Sequence, residues 1–315
     1  MITRRMLTAV LTLVVAAVSM AACARTTPMA SPEPTATPAV TSTPSPIPSN
    51  LGQRLTFERI SVEHGLSQST VTCVLQDSRG FMWFGTRDGL NRYDGSGFKV
   101  YKHDPQNPEG LGHNQVTALA EDPAGMLWIG TDGGGLDRLD RETDTFAHYR
   151  HDPGDPSSLA HDSVLSLHVD RGGVLWIGTG SGLDRHDPTG TQFVHHRYNP
   201  GDPYGLRGGT IESIYQDREG MLWVGTNGNG LNRLDPTSGR FTHFQHDPND
   251  PHSLISNYLI RAIYEDREGD LWIGTFEGLD RLRIPEPAVS GVGSPGTRHG
   301  RQAVLRTGGQ RPVQR

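Results

Sequence analysis

The sequence predicts an all-β fold in which five four-stranded β-meanders stand side by side as the blades of a propeller. Three observations carry this. The 315-residue chain has five tryptophans, Trp83, Trp128, Trp176, Trp223 and Trp272, spaced by 45, 48, 47 and 49 residues. Each lies in one local pattern: an Asp six residues earlier (Asp77, Asp122, Asp170, Asp217, Asp266), a Gly three residues earlier (Gly80, Gly125, Gly173, Gly220, Gly269), and Gly-Thr two residues later. Gly-Leu-x-Arg follows, ending at Arg92, Arg138, Arg185, Arg233 and Arg281. The chain also holds 39 Gly and 22 Pro, punctuation that suits many short strands and turns rather than a helical bundle. A period of this length with four strands per unit is the arithmetic of a propeller blade.

In the first unit, Val71 to Gln76 is β-branched and alternating, and Asp77-Ser78-Arg79-Gly80 is a turn. Phe81 to Gly85 is a second strand, Leu90 to Tyr93 a third opened by Gly89, and Phe98 to Tyr101 a fourth after Asp94-Gly95-Ser96-Gly97. Asp opens the first turn because its carboxylate bonds local N–H groups, and Gly closes it where positive φ is needed. Each Trp is expected to fill the space between neighbouring sheets, where truncation to Ala would cost roughly 3–5 kcal/mol. The Gly after it permits close approach and the Thr bonds across strands. The repeated Arg is expected to pair with the Asp two residues later (Asp94, Asp140, Asp187, Asp235).

The fifth unit stops after its third strand, Leu279 to Leu282. Leu55 to Ile60, before the first unit, is the candidate missing strand; if it completes the last blade, five blades close a ring without exposed edges. The alternative is an open arc of a larger propeller.

The ends read differently. Residues 1–23 carry Arg4 and Arg5, an apolar run from Leu7 to Val18 and Met20-Ala21-Ala22-Cys23. The run is too short to span a bilayer of roughly 30 Å and reads as a signal peptide. The last four residues look like the lipobox of bacterial lipoproteins, which implies lipidation at Cys23, export and attachment to a membrane surface. A twin-arginine signal is the poorer fit. Residues 24–50, rich in Thr, Pro, Ser and Ala with no aromatic residue, read as a semi-extended tether. The propeller then occupies 51–283, and 284–315, with five Arg and no acid beyond Glu286, reads as a disordered or out-of-frame tail. Cys73 is the second of two cysteines and reads as a small buried hydrophobe. With 29 Lys plus Arg against 35 Asp plus Glu, net −6, a nucleic-acid binder built on a basic face is excluded.

The run His64-Gly65-Leu66-Ser67 with Val71, and then Asp77-Ser78-Arg79-Gly80-Phe81-Met82-Trp83-Phe84-Gly85-Thr86-Arg87-Asp88-Gly89-Leu90-Asn91-Arg92-Tyr93-Asp94-Gly95, closely resembles the two-component regulator propeller repeat. The likeness recurs through Arg283. It implies the extracytoplasmic sensing region of a membrane histidine kinase, with carbohydrate a frequent ligand theme. This chain has fewer units than such sensors. It also lacks their immunoglobulin-like segment, transmembrane helix, phospho-acceptor helix and ATP-binding glycine boxes. Kinase activity is therefore not expected of it, and a truncated sensor kinase is one reading.

Variation within the repeat marks the candidate site. Between Gly-Thr and Gly-Leu stand Arg87-Asp88, Asp132-Gly133-Gly134, Gly180-Ser181, Asn227-Gly228-Asn229 and Phe276-Glu277. These loops are expected on one face, where propellers bind ligands. Arg87, Asp88, Asp132, Asn227 and Phe276 offer planar donors, acceptors and an aromatic platform suited to a polar, sugar-like ligand; the competing reading is turn residues chosen for conformation. His103-Asp104-Pro105, His151-Asp152-Pro153 and His246-Asp247-Pro248 occur one per blade, too far apart for a tetrahedral metal site, and read as loop caps. No metal or cofactor is expected. The sequence thus points to a ligand-sensing module without catalysis, partnered by a membrane sensor kinase. A propeller lyase or glycan-active enzyme drawing on Asp88, Asp132 and Glu277, and a protein-interaction scaffold, are the alternatives.

Overall fold

A computed structural model of the chain describes residues 56–186 and 192–283. The expected leader with Cys23, the tether, the tail and Asp187 lie outside those residues. The first blade comprises β1 (Val71–Gln76), β2 (Met82–Thr86), β3 (Gly89–Tyr93) and β4 (Phe98–Tyr101). The second is β5 (Val116–Glu121), β6 (Leu127–Thr131), β7 (Leu136–Asp140) and β8 (Thr145–Tyr149). The third is β9 (Val164–Val169), β10 (Leu175–Thr179), β11 (Gly182–His186) and β12 (Phe193–His196). β13 (Ile211–Gln216), β14 (Leu222–Thr226), β15 (Leu231–Asp235) and β16 (Arg240–Phe244) form the fourth, and β17 (Ala262–Glu265), β18 (Leu271–Gly274) and β19 (Leu279–Leu282) the fifth. Each blade is one antiparallel meander in chain order, as the sequence predicts.

The Asp-x-x-Gly turn does more than reverse the chain. In the fourth blade Asp217 Oδ1 accepts the Glu219 and Met221 N–H groups, and Gly220 takes a φ of 90°, which an L side chain resists. The other oxygen, Oδ2, accepts the indole Nε1–H of Trp223 at 2.7 Å. The same bond occurs in every blade: 2.8 Å from Trp83 to Asp77, 2.9 Å from Trp128 to Asp122, 2.9 Å from Trp176 to Asp170 and 2.7 Å from Trp272 to Asp266. The Thr closes the following hairpin, as Thr226 Oγ1 donates to Gly230 O.

Fixed in this way, each of the first four Trp rings packs with the Leu and the Ile or Val of the next blade's tryptophan strand. Trp223 and Leu231 meet Ile260, Leu271 and Ile273 in one buried cluster, and the three preceding blade pairs repeat the arrangement. At the innermost strands a hydroxyl donates to a carbonyl of the next blade: Thr72 to Val116, Thr117 to Val164, Ser166 to Ile211 and Ser213 to Ile260. Gly225 has to be glycine because a Cβ there would stand 2.5 Å from the Ile260 carbonyl. Cys73 is half-buried against the first cluster, and burial pushes its thiol up to about 11.

Two expectations are corrected. The repeated Arg does not pair with the Asp two residues later. Arg92, Arg138, Arg233 and Arg281 lie over the Trp rings of their own blades, whereas Asp94, Asp140 and Asp235 accept from turn groups such as Ser96 N, Glu142 N and Thr237 N. A guanidinium gains from the ring face, and the carboxylate is consumed by its own turn. Nor does an N-terminal strand close the ring among the described residues. Residues 56–60 form no strand, Phe57 is fully exposed, and the fifth sheet keeps three strands. The innermost strands pack in chain order, β1 on β5, β5 on β9, β9 on β13 and β13 on β17, with no comparable packing of β17 on β1. Without that juxtaposition an outer strand has nothing to bridge, and the described blades form the open array named as the alternative.

The buried Trp–Asp bond gives a direct test. In Asp217→Asn the amide keeps an oxygen for the turn but turns a donor toward the indole N–H. The variant should lose about 1–3 kcal/mol of stability, read from the urea midpoint.

Candidate functional site

The five variable turns lie at one end of the array because their backbones are tied to the segments that lead into the innermost strands. Gly89 N donates to Asn114 O, Asp132 N to Gln115 O, Gly180 N to Ser163 O, Asn227 N to Thr210 O and Phe276 N to Tyr258 O. The Gly89 bond crosses to the next blade, as do further bonds from the same turns: Gly133 and Gly135 both donate to Asp162 O, and Gly228 and Gly230 to Asn257 O. The result is a hydrogen-bonded ledge running from blade to blade, one turn per blade.

The structure divides the candidate residues into two groups. Asp88 is held by its neighbours: its N–H donates to Thr86 Oγ1 and its carboxylate pairs with Lys102 at 2.6 Å. Asp132 accepts from Gln115 Nε2 at 2.9 Å and from Ser163 Oγ of the next blade at 2.6 Å, so it fastens two blades. Arg87, Asn227 and Phe276, by contrast, have exposed side chains with no intramolecular partner among the described residues, and Phe276 is 73% exposed. Exposed Tyr258 stands beside Phe276 through the backbone bond, an aromatic that the repeat pattern did not single out. No candidate side chain hydrogen-bonds another: they are presented singly along the ledge. Asp88, Asp132 and Glu277, the residues an acid–base mechanism would draw on, likewise share no partner.

The His-Asp-Pro loops are self-contained caps, as expected from the sequence. His103, His151 and His246 bond the carbonyls of Leu111, Leu159 and Leu254 in their own loops through Nδ1, and Asp104, Asp152 and Asp247 accept turn N–H groups.

Sequence reasoning missed a second set of polar residues, at the variable position of Gly-Leu-x-Arg. Asp137 and Asp184 are buried and accept the N–H groups of Gly112 and Ala160, fastening the loop that precedes each blade's innermost strand. Each also meets a histidine of the outer strand. His148 Nδ1 lies 2.6 Å from Asp137 Oδ1 and its Nε2 lies 2.9 Å from Pro108 O; His195 spans Asp184 and Pro156 O in the same way. At His148 carboxylate and carbonyl are both acceptors, and the ring satisfies both by donating from both nitrogens, as the imidazolium that its raised pKa favours. The fourth blade has Asn232 in this slot, bonded to His243. The available signal was the restriction of the variable residue to Asp or Asn in every blade. Beside His195 a cleft of about 470 Å³ opens between the third and fourth blades, with Arg197, Asp202 and Phe241 on its walls; none of the five turn candidates lines it.

Five segments, residues 65–88, 110–133, 158–181, 205–228 and 253–277, match the two component regulator propeller family model. Each match ends at or within the variable turn of its blade. The chain is 47% identical over 51 residues to Histidine kinase P4 of Formosa agariphila, across 16% of this chain and 4% of the kinase. Among solved structures it is similar to the extracellular domain of the hybrid two component system BT3049 of B. thetaiotaomicron. That likeness has a TM-score of 0.63 and 30% identity over 72% of this chain and 30% of that one. The corresponding domain of BT4673 from the same organism gives a TM-score of 0.48 at 21% identity, over 73% and 40%. The chain therefore spans a small part of the kinase and less than a third of the first solved chain.

The His148 staple has a signed pH dependence. The Asp137 carboxylate raises the His148 pKa, with burial opposing, the Pro108 carbonyl adding and Arg150 opposing. A raised folded pKa contributes stability that is full below the unfolded value of about 6.5 and fades as pH rises through the folded one. His148→Gln should therefore lower the urea midpoint more at acid pH than well above neutrality.

Proposed function

We propose that this chain, an array of five two component regulator propeller repeats, is the extracytoplasmic ligand-binding module of a two-component sensing system. It is held at a membrane surface by lipid on Cys23, read by a membrane sensor kinase, and without catalysis of its own. The likeness to extracellular domains of hybrid two component systems supports the placement, and the 51-residue likeness to a histidine kinase supports the partner class.

One observation carries the reading of the site. Among the described residues Arg87, Asn227 and Phe276 have no side-chain partner and stand on turns whose backbones are tied to the lead-in segments, while Asp132 spends its carboxylate joining two blades and Asp88 pairs with Lys102. Rigid presentation lowers the ordering cost of binding, and a guanidinium, an amide and an aromatic ring together match the hydroxyls and apolar faces of a carbohydrate. An enzyme would need an acid and a base converging on one reacting atom. Asp88 and Asp132 are engaged separately in structural bonds and Glu277 shares no partner with either, which supports binding over turnover.

The test is a glycan array followed by calorimetry on the best ligand. Arg87→Ala and Phe276→Ala should each weaken binding by at least about tenfold, the loss of one anchoring side chain, with thermal stability unchanged. Binding that survives both substitutions, an array without a bound glycan, or release of a cleaved product would overturn the reading.

A further inference from the structure

Among the described residues, the first and fifth blades each present a face that is one half of an interface formed four times between neighbouring blades. On the outgoing side of the fifth blade, Leu279 is 61% exposed and Tyr264 63% exposed, and Trp272 is half-buried. Their fourth-blade counterparts, Leu231, Tyr215 and Trp223, are packed into the core cluster shared with the fifth. On the incoming side of the first blade, Val71 and Val74 are exposed and Met82 and Phe84 half-buried. Their fifth-blade counterparts Ile260, Ile263, Leu271 and Ile273 are the residues that receive the fourth blade.

The polar parts are complementary as well. Arg171 donates its backbone N–H to Gln216 Oε1 and its guanidinium to the carbonyls of Asp217 and Arg218 in the next blade. Arg218 repeats this on Glu265, Asp266 and Arg267. Arg267 is the third member of the series, exposed and with no side-chain partner among the described residues. The matching cradle is Gln76, Asp77 and Ser78 of the first blade. Gln76 is exposed and its Nε2 donates to Gly80 O, as Gln216 Nε2 donates to Gly220 O, which leaves Oε1 facing outward in the receiving arrangement.

We infer that the fifth blade of one copy docks on the first blade of a second copy, Arg267 entering the Gln76–Ser78 cradle while Leu279 and Tyr264 cover Val71 and Val74. The contact is heterologous, so each copy offers one donor face and one acceptor face. A second copy is the occupant because it carries both the apolar pattern and the arginine for which each face is built. The inference is independent of the ligand and of the ledge.

The experiment is sedimentation of the whole chain over a concentration series, with Leu279→Glu and Val74→Glu, each on an exposed position. The wild type should gain mass with concentration, and each variant alone should associate at least about tenfold more weakly. Mixing the two variants should restore a one-to-one pair, since the first retains an intact acceptor face and the second an intact donor face. Arg267→Glu, which removes no packed side chain, should weaken association likewise and provides the check if a face variant fails to fold. A wild type that stays a single copy at every concentration, variants that associate as well as the wild type, or a mixture that does not pair would each overturn the inference.

Discussion

The bond from each indole N–H to the turn aspartate is the constraint on which the blade depends. A tryptophan in the wedge between two sheets brings a polar N–H into a place without water, and such a group is costly unless it is satisfied. The aspartate six residues earlier satisfies it from its own blade, so the wedge can be filled without help from the neighbour. One carboxylate thereby fixes the turn, the register of two strands and the orientation of the largest core side chain. In the first blade Asp77 also receives Arg141 from the second. Burial raises its pKa, but the bonds from Trp83, Phe81 and Arg141 outweigh that and hold it below the ordinary carboxylate value.

Much of this was legible in the sequence because it repeats. Five copies of one spacing located the tryptophans, the Asp-x-x-Gly turns and nearly every strand. What repetition could not reveal was partner choice. Asp94 and Arg92 are two residues apart and oppositely charged, yet one turns into its own loop and the other onto Phe81 and Trp83. A pattern gives residue types at intervals and leaves open which of two nearby satisfactions is the cheaper. The His148–Asp137 and His195–Asp184 staples escaped notice for the same reason: the pairs lie 11 residues apart across a strand register that only the fold brings together. Ring closure is not seen among the described residues: Phe57 and Ile60 supply a strand-like pattern, but the pattern carries no information on whether the first and fifth blades come together.

The candidate site shows a division of labour among side chains that look equivalent in sequence. All five turn residues vary from blade to blade, which marked them together. The structure separates Asp132, consumed in joining two blades, from Arg87 and Phe276, which face solvent. Variation in a repeat therefore has two sources, local adjustments of the joint and surface left open for a ligand. Only the hydrogen-bond inventory tells them apart.

Blade-to-blade contact in chain order also shapes how the molecule comes apart. Where each unit touches only its immediate neighbours, cohesion behaves as a one-dimensional ladder, and rungs at the extremities open before those at the centre. The middle meander, gripped from both sides, should hold its amide protons longest, with a gradient of solvent exchange falling away toward either end. The five indoles, one to a rung, are built-in reporters of that fraying.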